Sequence, residues 1–332
     1  MPAFPAAEWP IAACLHGVPT VLADGRTLHD AGPEAWEAAF AQVAAVDFSM
    51  AELADSHIRP ADLSSAQRAE LVAVAAARGI AIPSVHVQRQ SVIEPGRGEQ
   101  NLAYAHRTID AAAEMGMSVF STGLHRPLSD AQRRALWFWS VEGPRDPADD
   151  PATWALAVTR LRELGRHAGE VGLRVSLEMY EDTYLGTADS AVRLVEEIGL
   201  DNVGLNPDIG NLVRLHRPIE DWREAYAKTL PYANYWHVKN YTRDETFDRS
   251  RATSAPSTMA SGLIDYRHVI QQAVAVGFDG VILCEHYGGD SLGMCAANQR
   301  YIRDVLAAGE RAAAPRIRRT ARALTLPNEG QP

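Results

Sequence analysis

The sequence predicts an α/β barrel in which eight parallel strands alternate with helices. Its 332 residues suffice for one such barrel, which takes roughly 250 residues plus insertions, and 46% of them are hydrophobic. Short apolar, β-branched segments recur along the chain, and each is followed by a longer segment with helical periodicity. Strand–helix alternation repeated eight times is typical of a closed parallel sheet with its helices outside, the (β/α)8 or TIM barrel.

Eight segments are predicted as strands because each combines an apolar run with residues that favour an extended backbone. They cover residues 11–17, 46–53, 80–88, 117–125, 174–181, 202–210, 234–241 and 280–289. The stretch 242–262, which follows the seventh of these segments, is predicted to be a long loop.

The helices between the strands are marked by short polar residues at their start and by glycine at their end. Such residues satisfy the backbone groups that a helix leaves unpaired at its two ends. The helices with the clearest limits on this criterion occupy residues 62–79, 187–199 and 265–277.

A doubly wound nucleotide-binding sheet is the rival fold, and it normally carries a G-x-G-x-x-G turn after its first strand. Here the first predicted strand is followed by HGVPTVLADGRTLHD, which has no such turn. We therefore predict a single catalytic barrel domain over residues 1–309, with an insertion around 126–151. Residues 310–332, rich in Ala, Arg and Pro, are predicted to form a C-terminal arm.

The charge and the N-terminal sequence limit the partners of this chain. Its formal net charge is −10, and this sign disfavours nucleic acid and anionic membranes. No apolar run reaches the roughly 20 residues that span a bilayer, and the N-terminus lacks the pattern of a signal peptide, so we expect a cytoplasmic protein. Cys14, Cys284 and Cys295 have no spacing that indicates a disulfide framework or a zinc site.

Side chains that carry chemistry in a barrel of this kind lie at the carboxyl ends of the strands. Ligand-type residues end four successive predicted strands, at Glu178, Asp208, His237 and Glu285. The first two intervals match one strand–helix unit of about 30 residues, and the third is longer because it contains the loop 242–262. Since buried carboxylates are costly unless they are paired or metal-bound, we predict that these four residues hold one metal ion.

Three carboxylates and one imidazole form a hard, oxygen-rich donor set. It suits one divalent ion, with Mn²⁺ as the first choice and Mg²⁺, Co²⁺ or Zn²⁺ as alternatives. A sugar with a carbonyl beside a hydroxyl can chelate such an ion, which polarises the carbonyl and makes the neighbouring C–H acidic. A nearby carboxylate or histidine then serves as the base. The sequence thus predicts an enzyme that acts on a small sugar or glycoside.

Other polar residues at the same strand ends are candidates for substrate contact. Side chains two residues apart in a strand point the same way, and several candidates share a face with a predicted ligand. The candidates are His86, Gln88, Tyr180, Lys239, Glu52 and His16. His125 is a further candidate, because Gly123 and Pro127 break the fourth strand around it.

Several motifs at these strand ends resemble the xylose-isomerase-like superfamily of sugar isomerases, epimerases and related lyases. They are the segments 176–178, 206–211, 236–240, 262–266 and 281–285. The resemblance implies that the four residues proposed above bind the metal. It also implies that Glu178 and Glu285 move the proton, as the matching glutamates do in the epimerases of this superfamily.

Two positions depart from the pattern of the superfamily. Members often have histidine where Asn211 stands and aspartate where Asn240 stands. The loss of an imidazole and a carboxylate near the metal counts against ordinary aldose–ketose isomerisation. The aromatic run 137–139 and His125 are also unusual for a simple sugar isomerase, and aromatic rings there can stack on a flat aglycone or pack beneath the insertion.

Within the superfamily, the chain is most similar to the large subunit of bacterial C-glycoside deglycosidases. The resemblance implies a lyase whose substrate is a C-glycoside already oxidised to its 3-keto sugar. Loss of the proton at C2 then permits elimination of the aryl group from C1, with His125 as the candidate base or acid. The resemblance also implies a small β-rich second subunit, and we expect an oligomer.

Three other functions stay open on the sequence alone. One is isomerisation or epimerisation of a free or phosphorylated sugar, which begins with the same proton abstraction. Another is abasic-site endonuclease activity, which the superfamily includes, but those enzymes need a multi-zinc cluster and a basic face. The last is a non-catalytic subunit that keeps the barrel and binds no metal.

Overall fold

The computed structural model describes residues 2–313 and confirms the eight-stranded α/β barrel. The strands are β1 (Ile11–Cys14), β2 (Ala51–Ala54), β3 (Ser84–Val87), β4 (Val119–Thr122), β5 (Arg174–Glu178), β6 (Val203–Asn206), β7 (Trp236–Val238), β8 (Asn240–Glu245), β9 (Ala252–Ser257) and β10 (Ile282–Cys284). The helices are α1 (Leu28–Ala31), α2 (Pro33–Ala45), α3 (Ser65–Ala77), α4 (Gly98–Glu114), α5 (Asp130–Arg134), α6 (Pro151–Glu170), α7 (Ala188–Ile198), α8 (Gly210–Val213), α9 (Trp222–Thr229), α10 (Tyr266–Ala275) and α11 (Ser291–Ala313).

The barrel wall is one parallel sheet in the order β6-β5-β4-β3-β2-β1-β10-β7. Its two edge strands approach each other, since Leu205 of β6 forms an isolated parallel bridge with Ala233, just before β7. The barrel is therefore nearly closed. Because all eight strands run in the same direction, their carboxyl ends meet at one end of the barrel.

The helices with the clearest sequence limits begin and end close to the predicted positions. Ser64 caps α3 through a capping box with Gln67, Thr187 caps α7, and Asp265 caps α10. Gly199 follows α7 with φ of 63°, a left-handed backbone that glycine adopts at little cost. Local sequence therefore sets these helix boundaries.

The stretch 242–262 is not a plain loop, so this prediction was wrong. Much of it belongs to an antiparallel hairpin of β8 and β9. Most of the hairpin residues are polar and one is Pro256, so the sequence lacks the apolar–polar alternation that indicates a strand. Tertiary contact compensates, since Ala252 N donates to His216 O at 2.9 Å.

Residues 126–151, the predicted insertion, lie between β4 and α6 and contain α5 and a 3₁₀ turn at Phe138–Ser140. Trp139 is buried, and its Nε1 donates to Ser254 Oγ of the hairpin at 2.9 Å. The ring of Trp139 also packs against Tyr287, with 5.5 Å between centroids. The segment therefore packs on the chain that follows β7 and β10, at the carboxyl end of the barrel.

Helix α11, the last described helix, holds the N-terminal segment of the chain through hydrogen bonds. Glu310 Oε1 accepts from Ala6 N at 2.6 Å, and Arg303 Nη1 donates to Ala6 O at 3.0 Å. Helix α11 runs to Ala313, so the first residues of the predicted arm continue this helix. The remainder of the arm, 314–332, lies outside the described residues.

The three cysteines are buried and form no disulfide, in agreement with their spacing in the sequence. Burial raises the pKa of the Cys14 thiol well above its ordinary value, which keeps that thiol protonated. Among the helices of residues 2–313, none is long and apolar enough to cross a membrane.

Candidate metal centre

The four predicted metal ligands lie at the carboxyl ends of strands that are neighbours around the barrel. Glu178 ends β5, Asp208 follows β6 by two residues, His237 lies within β7, and Glu285 directly follows β10. The apolar strands hold the backbone in the barrel wall, and each polar side chain emerges where its strand ends. All four residues are at most 3% exposed, so their charges are removed from water.

These four side chains converge on one small volume. Each offers a ligand atom that lies within 4.8 Å of the other three. Asp208 Oδ1 and His237 Nδ1 are buried without a hydrogen-bond partner. A buried polar atom without a partner is costly. Since carboxylate oxygens and one imidazole nitrogen are ligands that a divalent cation accepts, these residues fit a metal ion.

Two asparagines fix the orientation of the group. The Asn206 side chain accepts from His237 N at 2.7 Å. Asn211 donates through Nδ2 to Glu178 Oε1 at 2.8 Å and to Met179 O at 2.9 Å. Asn211 stands where members of the superfamily often have histidine, and it still contacts a carboxylate of the predicted metal group.

Asn240, the second departure from the superfamily pattern, builds the loop after β7. Its Oδ1 accepts from Tyr241 N at 3.0 Å and from Ile264 N at 3.1 Å, and its Nδ2 donates to Ile264 O at 2.9 Å. Gly262 packs directly on this side chain, where a Cβ would clash. The role of Asn240 is therefore to organise backbone rather than to bind an ion.

Lys239, predicted to contact substrate, lies among the carboxylates of the group. Its Nζ donates to Glu285 Oε2 at 2.6 Å and also to Asp208 Oδ2. Burial acts to lower the pKa of Lys239, but the two carboxylates outweigh burial and raise this pKa well above its ordinary value. Gly210 makes room for the lysine, since a Cβ there would lie 2.5 Å from Lys239 Cγ.

The group holds more negative charge than Lys239 balances. Burial raises the pKa of Asp208 to about 7, although Lys239 acts against this rise. The negative charges of Glu178 and Glu285 also act to raise the pKa of Asp208. Burial also acts to raise the pKa of Glu285. Lys239 outweighs the effect of burial and leaves the pKa of Glu285 well below its usual range. The raised pKa of Asp208 indicates that its charged form is poorly compensated, and a divalent cation would supply the compensating charge.

Two histidines flank the second oxygen of Glu178. Oε2 lies 2.8 Å from His86 Nε2 and 3.0 Å from His125 Nε2. Burial opposes ionisation of Glu178, but both histidines outweigh it and hold the pKa of Glu178 well below its usual value. Burial lowers the pKa of His125 to about 4. Its imidazole is therefore neutral at pH 7.

The structure adds two ligand-type groups that share residues with the predicted one. In each, the ligand atoms lie within 4.8 Å of one another. The added groups are Glu52, His86 and His237, and His86, His125 and Glu178. Side chains from β2, from β3 and from the segment after β4 therefore extend the polar cluster across the barrel.

Gln88, a predicted substrate contact, reaches the cluster through another residue. Its Nε2 lies 2.8 Å from His16 Nε2, and His16 Nδ1 lies 3.4 Å from Glu285 Oε1. The backbone N–H of Gln88 donates to Asp55 Oδ1 at 3.1 Å, which fixes this strand end. Gln88 and His16 are thus at the edge of the cluster.

An arginine that the strand-end pattern does not indicate lies among the aromatic rings beside the site. Arg214 is buried, and its Nη2 donates to both carboxylate oxygens of Glu181 at 3.0 Å. Tyr180, a predicted substrate contact, has its ring 4.3 Å from that of His125. The guanidinium of Arg214 lies within 5.7 Å of the ring centroids of Phe138, Trp139, Tyr180 and Tyr287.

A family model described as xylose isomerase-like TIM barrel matches residues 40–310 of this chain. The chain belongs to this family. A crystal structure of a family protein from Mycobacterium smegmatis, in complex with magnesium, is 44% identical to it in sequence. That structure superposes with a TM-score of 0.87 over 92% of this chain and 99% of the other.

More distant relatives are also similar to this chain. The inosose dehydratase of Geobacillus thermodenitrificans is 25% identical over 217 residues, which are 63% of this chain and 70% of that protein. D-psicose 3-epimerase from Clostridium cellulolyticum H10, solved with D-tagatose, is 18% identical, with a TM-score of 0.56 over 83% of this chain and 92% of the other. At that identity, the likeness to the epimerase concerns the fold.

Proposed function

We propose that this protein is a divalent-metal-dependent enzyme that removes a proton from the carbon beside the carbonyl of a keto sugar. The observation that carries the proposal is the buried group of Glu178, Asp208, His237 and Glu285, whose ligand atoms lie within 4.8 Å of one another. The magnesium complex of the relative from Mycobacterium smegmatis supports a divalent ion. Mn²⁺ is the ion that we propose first, with Mg²⁺, Co²⁺ and Zn²⁺ as alternatives.

When bound, the cation supplies positive charge beside the substrate carbonyl and makes the neighbouring C–H more acidic. The side chains of the protein itself carry out the proton transfer. We propose that His125, which is neutral and buried, accepts the proton. Glu178, 3.0 Å away, stabilises the imidazolium that results. All four residues of the metal group are nearly fully buried, and burial strengthens their electrostatic interactions with the reacting atoms.

We further propose that proton loss leads to elimination, and that the substrate is a 3-keto-C-glycoside. The electrons of the C2–H bond form the C1–C2 double bond, the bond from C1 to the aryl group breaks, and the aryl carbon takes up a proton. The overall likeness to C-glycoside deglycosidases supports this reaction, and so does the relative named as a dehydratase. The half-buried rings of Phe138 and Tyr287, 6.0 Å apart at the rim, are suited to contact an aryl group.

Deuterium exchange followed by NMR tests the proposed proton abstraction separately from the leaving group. The purified protein, loaded with Mn²⁺ or Mg²⁺, is incubated in D₂O with a 3-keto-C-glucoside, an inosose and a free ketose. We expect metal-dependent exchange beside the carbonyl, and release of the aryl product from the 3-keto-C-glucoside. Neither exchange nor product with any of the three compounds, in protein that has bound its metal, would contradict the proposal.

The matched control for this experiment is Asp208→Asn. The amide keeps the size of the side chain and removes one charge from the metal group. We expect the variant to lose both metal binding and exchange. Exchange that survives in this variant and in excess chelator would show that the chemistry does not depend on this group.

Epimerisation or isomerisation of a free keto sugar is the second candidate. Glu178 and Glu285, on β5 and β10, both belong to the metal group, and both have a pKa well below the usual range because of their cationic or imidazole neighbours. Two ionised carboxylates can remove a proton and return it from different directions. A new epimer without aryl release or water loss would favour this candidate.

The resemblance to C-glycoside deglycosidases also supports a small β-rich second subunit in an oligomer with this chain. Co-expression with a candidate subunit, followed by analytical ultracentrifugation, tests this part of the proposal. We expect a complex heavier than the chain alone and a higher rate of aryl release. Equal rates and no complex would contradict it.

A further inference from the structure

Glu52 is a carboxylate inside the barrel that the proposed reaction does not use. Its place at the end of a predicted strand makes Glu52 a candidate substrate contact, but the side chain is fully buried on β2. Its Oε1 lies 3.1 Å from Nε2 of His237, and its Oε2 lies 3.4 Å from the same nitrogen. Burying a carboxylate is costly unless it is paired, and within residues 2–313 its ion-pair contacts are the imidazoles of His237 and His86.

A short chain of hydroxyl groups holds Glu52 in place. Ser84 Oγ donates to Glu52 Oε2 at 3.0 Å, and Ser84 Oγ lies 2.7 Å from the hydroxyl of Tyr235. Ser84 lies on β3, and Tyr235 immediately precedes β7. The Glu52 carboxylate is thus held by a hydroxyl group on β3, which in turn contacts a hydroxyl group beside β7.

The two nitrogens of His237 face different neighbours. Nε2 faces Glu52, which can only accept a hydrogen bond. Nδ1 has no hydrogen-bond partner and lies 3.7 Å from Glu178 Oε1 and 3.8 Å from Glu285 Oε2, both in the predicted metal group. A neutral imidazole carries one N–H, and the hydrogen bond made by one nitrogen decides which nitrogen is left to bind a metal.

We propose that Glu52 is a positioning residue, which keeps a proton on Nε2 of His237 and so directs the lone pair of Nδ1 to the metal. This inference rests on the proposed metal site. The contact of Glu52 with His86 is secondary, since His86 Nδ1 lies 3.9 Å from Oε1. Histidine ligands of metals usually donate their second N–H to a carboxylate or carbonyl, and the loss of that partner typically lowers metal affinity about 10- to 100-fold.

Metal titration of Glu52→Gln tests the proposal. The amide keeps the shape of the side chain and removes the charge that attracts the Nε2 proton. We expect the affinity for Mn²⁺ and for Mg²⁺, measured by calorimetry, to fall about 10- to 100-fold, with a smaller loss in Ser84→Ala. The control is Asp55→Asn, a buried carboxylate on the same segment that bonds to Gln88 and Gln90 and should leave metal affinity unchanged.

A second measurement reads the proton directly in the wild-type protein. With ¹⁵N-labelled histidine, and His237→Gln for assignment, NMR should detect a proton on Nε2 of His237 both with and without Mg²⁺. In Glu52→Gln its resonance should shift or vanish. A purely structural role would lower the free energy of unfolding without moving this resonance or the metal affinity.

Two results would overturn the proposal: normal metal affinity in Glu52→Gln, or a wild-type His237 that carries a proton on Nδ1 and none on Nε2. The NMR result is informative even when the variant folds poorly. A wild-type protein that binds no divalent metal would instead contradict the proposed function, so the two failures are distinguishable.

Discussion

His125 and Glu178 meet through one oxygen of the carboxylate, with Nε2 and Oε2 3.0 Å apart. The other oxygen, Oε1, accepts from Asn211 at 2.8 Å and lies 3.7 Å from Nδ1 of His237. The two oxygens of Glu178 therefore have different neighbours. One oxygen faces a predicted metal ligand, and the other faces the candidate base. A single carboxylate can thus connect the predicted metal group to the proposed base.

Replacing His125 by glutamine should lower kcat by about 10²- to 10⁴-fold, the range expected on loss of a general base. Metal affinity should change little, because His125 is outside the four-residue metal group. Steady-state kinetics and calorimetric titration with Mn²⁺ measure the two effects. His268→Gln, at an exposed position, is the matched control, and a near-normal kcat in His125→Gln would exclude His125 as the base.

Lys239→Met should destabilise the metal-free protein by about 3–5 kcal/mol, because Asp208 and Glu285 lose a buried partner. Saturating Mn²⁺ should reduce this loss, since the cation compensates the same carboxylates. Urea unfolding with EDTA and with Mn²⁺ compares the two states.

The control for this lysine is Lys228→Met. Lys228 pairs with Asp189 at 2.6 Å on the surface, so we expect a loss of at most about 1 kcal/mol. If Lys239→Met were equally destabilised with and without Mn²⁺, the lysine and the metal would not share these carboxylates.

Arg214→Met should lower the free energy of unfolding by about 3–5 kcal/mol, since it leaves the buried Glu181 without its bidentate partner. The double variant Arg214→Met/Glu181→Gln should recover part of that loss, because the uncompensated charge is gone. Chemical unfolding of the two single variants and the double variant gives the coupling. Additive losses would show that the two side chains do not stabilise each other.

Phe138→Ala should raise KM for an aryl-bearing keto sugar about fivefold, which corresponds to about 1 kcal/mol of lost ring contact. Its ring is half-buried, 6.0 Å from that of Tyr287. KM for the same keto sugar without an aryl group should not change. Trp139→Phe is the control, since Trp139 is buried and bonded to Ser254 and should affect stability rather than KM.

The barrel and the convergence of the four predicted ligands could be inferred from the sequence. Parallel strands place their carboxyl ends together, so Glu178, Asp208 and Glu285, each at the end of an apolar strand, are expected to be close in space. That argument needs only the strand ends and their order. It does not depend on the tilt of the strands or on the exact register between them.

Contacts across the barrel could not be inferred in the same way. The approach of Glu52 to His237 joins β2 to β7, which are not neighbours in the sheet, and depends on strand tilt and on side-chain length. The pairing of Lys239 with Asp208 depends on the absence of a side chain at Gly210. The hairpin of β8 and β9 depends on tertiary contacts, because its polar sequence gives no strand pattern.

Crystals of the protein grown with Mn²⁺, with diffraction recorded at the manganese absorption edge, test the central claim most directly. We predict one anomalous peak per chain at the carboxyl end of the barrel, about 2.0–2.3 Å from an atom of each of Glu178, Asp208, His237 and Glu285. The ligand atom of His237 should be Nδ1. Absence of a peak at saturating Mn²⁺, or a peak that these four residues do not share, would contradict the account.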